Sequence, residues 1–205
     1  ARHRLWQGIV PVQELGGHGS IAKKNAVIRP ADSQLVKAAP QTTAAIRLEA
    51  LPTLAEQDNL FSHLPPDYRN FCLFLVNTGL RVGEALRLAP DDIQGDTIRV
   101  ANTKGGRPRT VPINAEARHA MSQGRGGTIK QATLNYHFNR AKVLSGLTDK
   151  DLVVHSLRHT FASRLVKAGV NLAVVQKLLG HSSIVVTMRY SHLDMVDLQA
   201  AVARI

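Results

Sequence analysis

With 205 residues the chain can bury one substantial core and at most a small appendage, and its 44% hydrophobic and 20% charged residues are ordinary for a globular domain. Against 15 Asp and Glu stand 26 Lys and Arg, a formal charge of +11 with a pI near 10.4, which favours a polyanion such as nucleic acid as partner. The single cysteine, Cys72, excludes an intramolecular disulfide, and no apolar stretch is long enough to span a bilayer, so a soluble cytoplasmic protein is expected.

Residues 1–45 sustain no apolar period and are interrupted by Gly16, Gly17, Gly19, Pro30 and Pro40. Arg2, Arg4, Lys23, Lys24, Arg29 and Lys37 outnumber Glu14 and Asp32 there, so the segment reads as a basic arm or linker ahead of a domain at 46–205. Thr53-x-x-Glu56 is a capping box that opens a helix to about His63. After the Pro65-Pro66 break, Asp67 is the expected cap of a second helix and Gly79 its stop. A short helix then places Val82, Ala85 and Leu86 on one face.

Thr97–Val100 and Arg109–Pro112 are brief alternating runs around a Gly-Gly turn and predict a β-hairpin. Asn114 caps a helix to about Ser122, and another runs from about Lys130 to Leu144, stopped by Gly146. In the helix after His155, Leu157, Phe161 and Leu165 recur every fourth residue and predict a core stripe, while His155 and Arg158 share a different face. Gly169 ends that helix, a short one from Leu172 ends at Gly180, and a third carries Tyr190. The expected fold class is mainly α with a small antiparallel β-sheet, an α+β arrangement.

The segment 155–192 strings together a cation, imidazoles and a phenol. A phosphodiester under attack gathers negative charge on its non-bridging oxygens. Guanidinium suits that charge, being planar, permanently cationic and able to donate parallel hydrogen bonds. A phenol ionises only near pH ~10, so as a nucleophile it needs cations or a base beside it. The sequence motifs are His-x-x-Arg-His at 155–159, Leu-Gly-His-Ser-Ser at 179–183 and Arg-Tyr-Ser-His at 189–192. Upstream lie Thr-Gly-Leu-Arg-x-Gly-Glu at 78–84 and Thr-Lys-Gly-Gly-Arg at 103–107. In this order they make the region of about 46–205 resemble the tyrosine recombinase (phage integrase) family.

The resemblance implies a division of labour. Arg81 and Arg158 take the two family arginines on the scissile phosphate, His181 the histidine that hydrogen-bonds a non-bridging oxygen, and His155 the one that accepts a proton or organises the phosphate. Tyr190 is the nucleophile, and Lys104 in its Gly-rich turn protonates the departing 5′ oxygen. Arg107 and Arg109 are expected to grip the DNA backbone without reading bases. Glu84 is expected to buttress the site. His155 and His159 have zinc-helix spacing, but Arg158 between them opposes a metal ion, so His159 reads as a packing or hydrogen-bonding residue. His192 belongs to the local pattern and receives no role.

The same resemblance implies the fold of a recombinase catalytic domain and a DNA strand transferase that works through a 3′-phosphotyrosine link, with no metal, ATP or other cofactor. Its implied partners are double-stranded DNA and further copies of itself: a homo-tetramer on DNA, with a monomer allowed when free, and no membrane. Apolar Leu193, Val196, Leu198 and Val202 could pass to a neighbour or pack on their own core. Relatives carry a DNA-clamping domain ahead of the catalytic one; none is recognisable in 1–45, which leaves a fragment or a form without that clamp. Two readings compete: a type IB topoisomerase, sharing the first cleavage step, and a catalytically inactive integrase that only binds DNA.

Overall fold

The computed structural model describes residues 51–101, 108–123 and 129–193. Its helices are α1 (Leu54–Ser62), α2 (Pro66–Thr78), α3 (Val82–Ala85), α4 (Ala115–Gln123), α5 (Gln131–Leu144), α6 (Ser156–Lys167), α7 (Leu172–Leu179) and α8 (Ile184–Thr187). Between α3 and α4 lie β1 (Ile93–Gln94), β2 (Thr97–Val100) and β3 (Arg109–Pro112), a three-stranded antiparallel sheet in sequence order. The mainly helical architecture with one small antiparallel sheet is therefore as the sequence predicts.

Local chemistry sets most of the boundaries. Thr53 and Glu56 form the reciprocal capping box: the Glu56 N–H donates to Thr53 Oγ1 at 3.2 Å, and the Thr53 N–H donates to the Glu56 carboxylate at 2.8 Å. Asn114 caps α4 through its Oδ1, which accepts from the Ala117 N–H at 2.8 Å. Asp67 does not cap α2. Pro65 occupies the cap and Pro66 the first helical position, where a missing N–H costs nothing, so Asp67 falls inside the first turn.

The expected hairpin is present, with Ile98 opposite Val111 and Val100 opposite Arg109. Ile98, Val100 and Val111 turn inward and are buried. Strand β1 is an addition to the expected pair; two residues are too few to show alternation, and Gly95 in the left-handed region (φ 56°) turns them back onto β2. Tyr190 lies not on an α-helix but on a 3₁₀ turn, Met188–Leu193, that continues α8.

Helix α6 ties the molecule together. Its first turn buries Leu157 in the larger cluster with Phe71, Phe74, Leu80, Leu134 and Phe138. Its second half adds Ala162 and Val166 to a smaller cluster with Val175, Leu179 and Tyr190. Phe161 and Leu165 of the expected stripe are half-buried against that second cluster. Cys72 is fully buried, and burial pushes its thiol pKa up, which keeps it unreactive. No described helix is long and apolar enough to cross a membrane.

Candidate active site

The site forms where α2 and α7 end, and both end on a glycine in the left-handed region: Gly79 (φ 64°) and Gly180 (φ 67°). Arg158 projects from the first turns of α6 into the gap between them. Its Nη1 donates to the Gly79 carbonyl at 2.7 Å and its Nη2 to the Leu179 carbonyl at 2.5 Å. A cation at two helix C-termini is favourable for both dipoles and satisfies carbonyls the helices leave open. Arg158 is only 3% exposed. Burial and the neighbouring Arg81 and Arg109 push its pKa down to about 9, which still leaves it charged at neutral pH.

Arg81 caps α3, where Glu84 accepts from its N–H at 2.9 Å and from its Nη1 at 3.0 Å. The Arg81 side chain remains 37% exposed, so its outer edge is open to a ligand. Glu84 is buried and also accepts from Arg109, Nη1 at 3.1 Å and Nη2 at 2.7 Å. Burial alone would raise the Glu84 pKa, but the hydrogen bonds and charge of Arg109, with those of Arg81, outweigh it and hold the carboxyl at about 2. The expected buttress is in place.

Arg109 departs from its expected role. Rather than reaching out for a DNA backbone, it turns inward with its side chain 6% exposed. Its Nε donates to the Leu178 carbonyl at 2.8 Å while both Nη atoms are committed to Glu84. Opposite charge in a low-dielectric pocket and an open carbonyl at the end of α7 together outcompete solvent. Lys104 and Arg107 lie outside the described residues.

His155 sits at the cap of α6, exposed on one side and facing the charges of Arg158 and Arg81; partial desolvation of its ring and these cations lower its pKa. His181 follows Gly180, and its Nδ1 pairs with the buried Thr187 hydroxyl at 2.9 Å, which fixes the ring and leaves Nε2 for a ligand. Burial and Arg158 bring the His181 pKa down to about 4. Tyr190 is 1% exposed, in the second cluster. Burial raises its pKa to about 12, against the pull of Arg189 and Arg158. Arg81, His155, Arg158, His181 and Tyr190 are thus brought together, in keeping with the motif spacing.

Two neighbours carry more than their sequence context suggests. His159 Nδ1 lies 2.5 Å from the Tyr190 hydroxyl, and its ring meets that of His155 edge-on at 5.0 Å between centroids. Arg189, next to Tyr190, adds positive potential at Tyr190, His159 and His181. The signal for His159 is its place one residue after Arg158, a helix position that faces the chain returning from α7. Beside the cations, a recess of about 340 Å³ is lined by Arg81, Val82, Gly83, Gln131, Asn135, Val153, Val154 and His155.

Comparison with known proteins places this geometry. A sequence profile of the phage integrase family matches residues 45–196. The tyrosine recombinase XerD of Corynebacterium glutamicum is 35% identical over 159 residues, 66% of this chain and 52% of that protein. The catalytic domain of bacteriophage HP1 integrase superposes with a TM-score of 0.63 at 31% identity, covering 75% of this chain and 93% of that domain. XerH site-specific recombinase bound to palindromic difH substrate, a post-cleavage complex, gives 0.56 at 25% identity over 75% of this chain and 53% of that one. The chain spans about half the length of the curated relatives it matches.

Proposed function

The chain belongs to the phage integrase family, and on that footing we propose that it cleaves and rejoins DNA as a site-specific recombinase through a 3′-phosphotyrosine intermediate. What carries the reading is one geometric fact: the Tyr190 hydroxyl is anchored to α6, the same helix that holds Arg158 and His155. Through His159, the nucleophile on its 3₁₀ turn is therefore tied to the helix that carries Arg158 and is capped by His155.

The phosphate sits between Arg81, Arg158 and His181 Nε2, which receive the charge that develops on its non-bridging oxygens. His155 borders the same recess and organises the phosphate. Tyr190 attacks phosphorus, the bond to the 5′ oxygen breaks, and Lys104 supplies its proton. A 5′-hydroxyl from a partner strand then reverses the step. The energy of the broken bond is held in the tyrosine ester, so the cycle needs neither ATP nor a metal ion.

Two duplexes and four cleavages require a tetramer on DNA, with the free protein a monomer. Residues 46–205 serve as the catalytic domain, and the basic segment 1–45 supplies added charge towards the DNA. The protein works on chromosomal or phage DNA in the bacterial cytoplasm.

The test is a covalent-adduct gel with nicked suicide duplexes. Tyr190→Phe is expected to bind duplex normally and form no denaturation-resistant complex; an adduct from this variant overturns the assignment. Arg81→Ala is expected to slow cleavage by ~10²–10³, the loss found when one donor to a developing charge is removed. Mixing Arg81→Ala with Tyr190→Phe is expected to restore nothing at a single half-site, because both groups act in cis. Plasmid relaxation by monomers without exchange of strands would favour the topoisomerase reading.

A further inference from the structure

We infer that His159 is the base that takes the phenolic proton of Tyr190 during cleavage and returns it during rejoining. The inference rests on Tyr190 being the nucleophile. A general base must lie within hydrogen-bond reach of the proton it abstracts. The 2.5 Å contact between the Tyr190 hydroxyl and His159 Nδ1 meets that condition. His155, the residue that family resemblance points to, stands at the mouth of the site, exposed, with its ring edge-on to His159.

The protonation states agree with this geometry. The phenol keeps its proton at neutral pH, since burial raises its pKa to about 12. For His159 to act as the base, the phenol donates, Nδ1 accepts, and the imidazole proton resides on Nε2. The groups facing His159 are His155 and Arg158 from α6, His181 from the turn after α7, and Arg189 with Tyr190 from the 3₁₀ turn. Burial first, then the positive potential of these neighbours, hold its pKa down to about 3, so its lone pair stays free well into the acid range.

Such a weak base cannot ionise the phenol beforehand, and it does not need to. As the bond from the Tyr190 oxygen to phosphorus forms, the phenolic proton becomes far more acidic than an imidazolium. Transfer that was uphill at the start is downhill by the end. The O–H bond of Tyr190 breaks, an N–H bond forms at His159, and the P–O5′ bond breaks with a proton from Lys104. The phosphodiester carries one negative charge before and after the step; the added charge exists only in the transition state, where the forming imidazolium offsets it. Until a phosphate fills the site the nucleophile remains protonated, which protects it from idle reaction.

The experiment measures single-turnover adduct formation by the full chain on nicked suicide duplex between pH 6 and 9. His159→Ala and His159→Asn are compared with His155→Asn and the unmodified protein. Asn offers an oxygen near the position of Nδ1 but no basicity. Both His159 variants should bind duplex normally and form adduct about 10²–10⁴-fold more slowly at pH 7. Their deficit should shrink roughly tenfold per pH unit, because each unit supplies tenfold more phenolate without a base.

Wild-type rate in His159→Asn would reduce His159 to a holder of the hydroxyl and overturn the inference. So would a deficit that does not change with pH, a loss of duplex binding in both variants, or a pH-dependent deficit carried by His155→Asn instead. Adduct formation by Tyr190→Phe would remove the nucleophile assignment itself. A silent Tyr190→Phe beside a fast His159→Asn removes only the base.

Discussion

Replacing Glu84 by alanine should damage both the fold and the reaction, although Glu84 is buried. Its carboxylate accepts from the Arg81 N–H at 2.9 Å, Arg81 Nη1 at 3.0 Å, Arg109 Nη1 at 3.1 Å and Arg109 Nη2 at 2.7 Å. The Glu84 side chain is 2% exposed and that of Arg109 6%, so water cannot replace the lost acceptor. Breaking a buried pair from one side leaves an uncompensated charge and costs about 3–5 kcal/mol. In a chain of this size 1 kcal/mol moves the melting temperature by about 2–4 °C, so Tm should fall by roughly 6–20 °C.

Urea midpoints of Glu84→Ala, Arg109→Ala, the double variant and the parent form a cycle that isolates the pair. The double variant should lose less than the sum of the singles, by more than the ~0.5 kcal/mol within which independent sites add. In the same proteins, single-turnover cleavage by Glu84→Ala should slow with Arg81 intact, because the guanidinium loses its anchor. A loss below about 1 kcal/mol, or additive single variants, would refute the argument that a buried network holds Arg81 in place.

Three further outcomes are expected. Gly79→Ala meets both a left-handed backbone and the Phe161 ring, into which the added Cβ would press; a loss of roughly 2–5 kcal/mol is expected, and a loss under about 1 kcal/mol by urea unfolding would contradict it. Acidification should lower Tm steadily below pH 6.5, the ordinary histidine value: the unfolded chain takes up protons there, while folded His181 and His159 stay neutral down to about 4 and about 3. A Tm unchanged between pH 7 and 5 would mean these imidazoles are not held neutral. Lys104→Ala should slow cleavage by about 10²–10⁴ on ordinary DNA and far less when the bridging 5′ oxygen is sulfur, which leaves without a proton; equal deficits on both substrates would assign Lys104 to phosphate binding.

What the sequence makes legible is what local chemistry decides. Thr53, Gly79, Asn114 and Gly180 set helix ends through contacts with residues a turn away, and all four act as their local sequence predicts. Arg109 escapes such a reading because its orientation depends on Glu84 and the carbonyl of Leu178, both remote in sequence. An arginine beside a glycine-rich turn looks like a surface group until the partner it meets in the fold is known. His159 is hidden for a similar reason. Its local sequence reads as a packing or hydrogen-bonding residue, but cannot name the partner, because Tyr190 arrives from another element of the second core cluster.

The double carbonyl grip of Arg158 also has a bearing on how such a protein can decay. A lineage that no longer needed strand transfer would be free to lose the Tyr190 hydroxyl, by a change to phenylalanine, with the ring still filling its place in the second cluster. It could not discard Arg158 as freely, because the ends of α2 and α7 would lose their common brace. Descendants that only bind DNA should therefore still carry this arginine, so its presence marks ancestry of fold, and activity is better judged from the phenol and its imidazole partner.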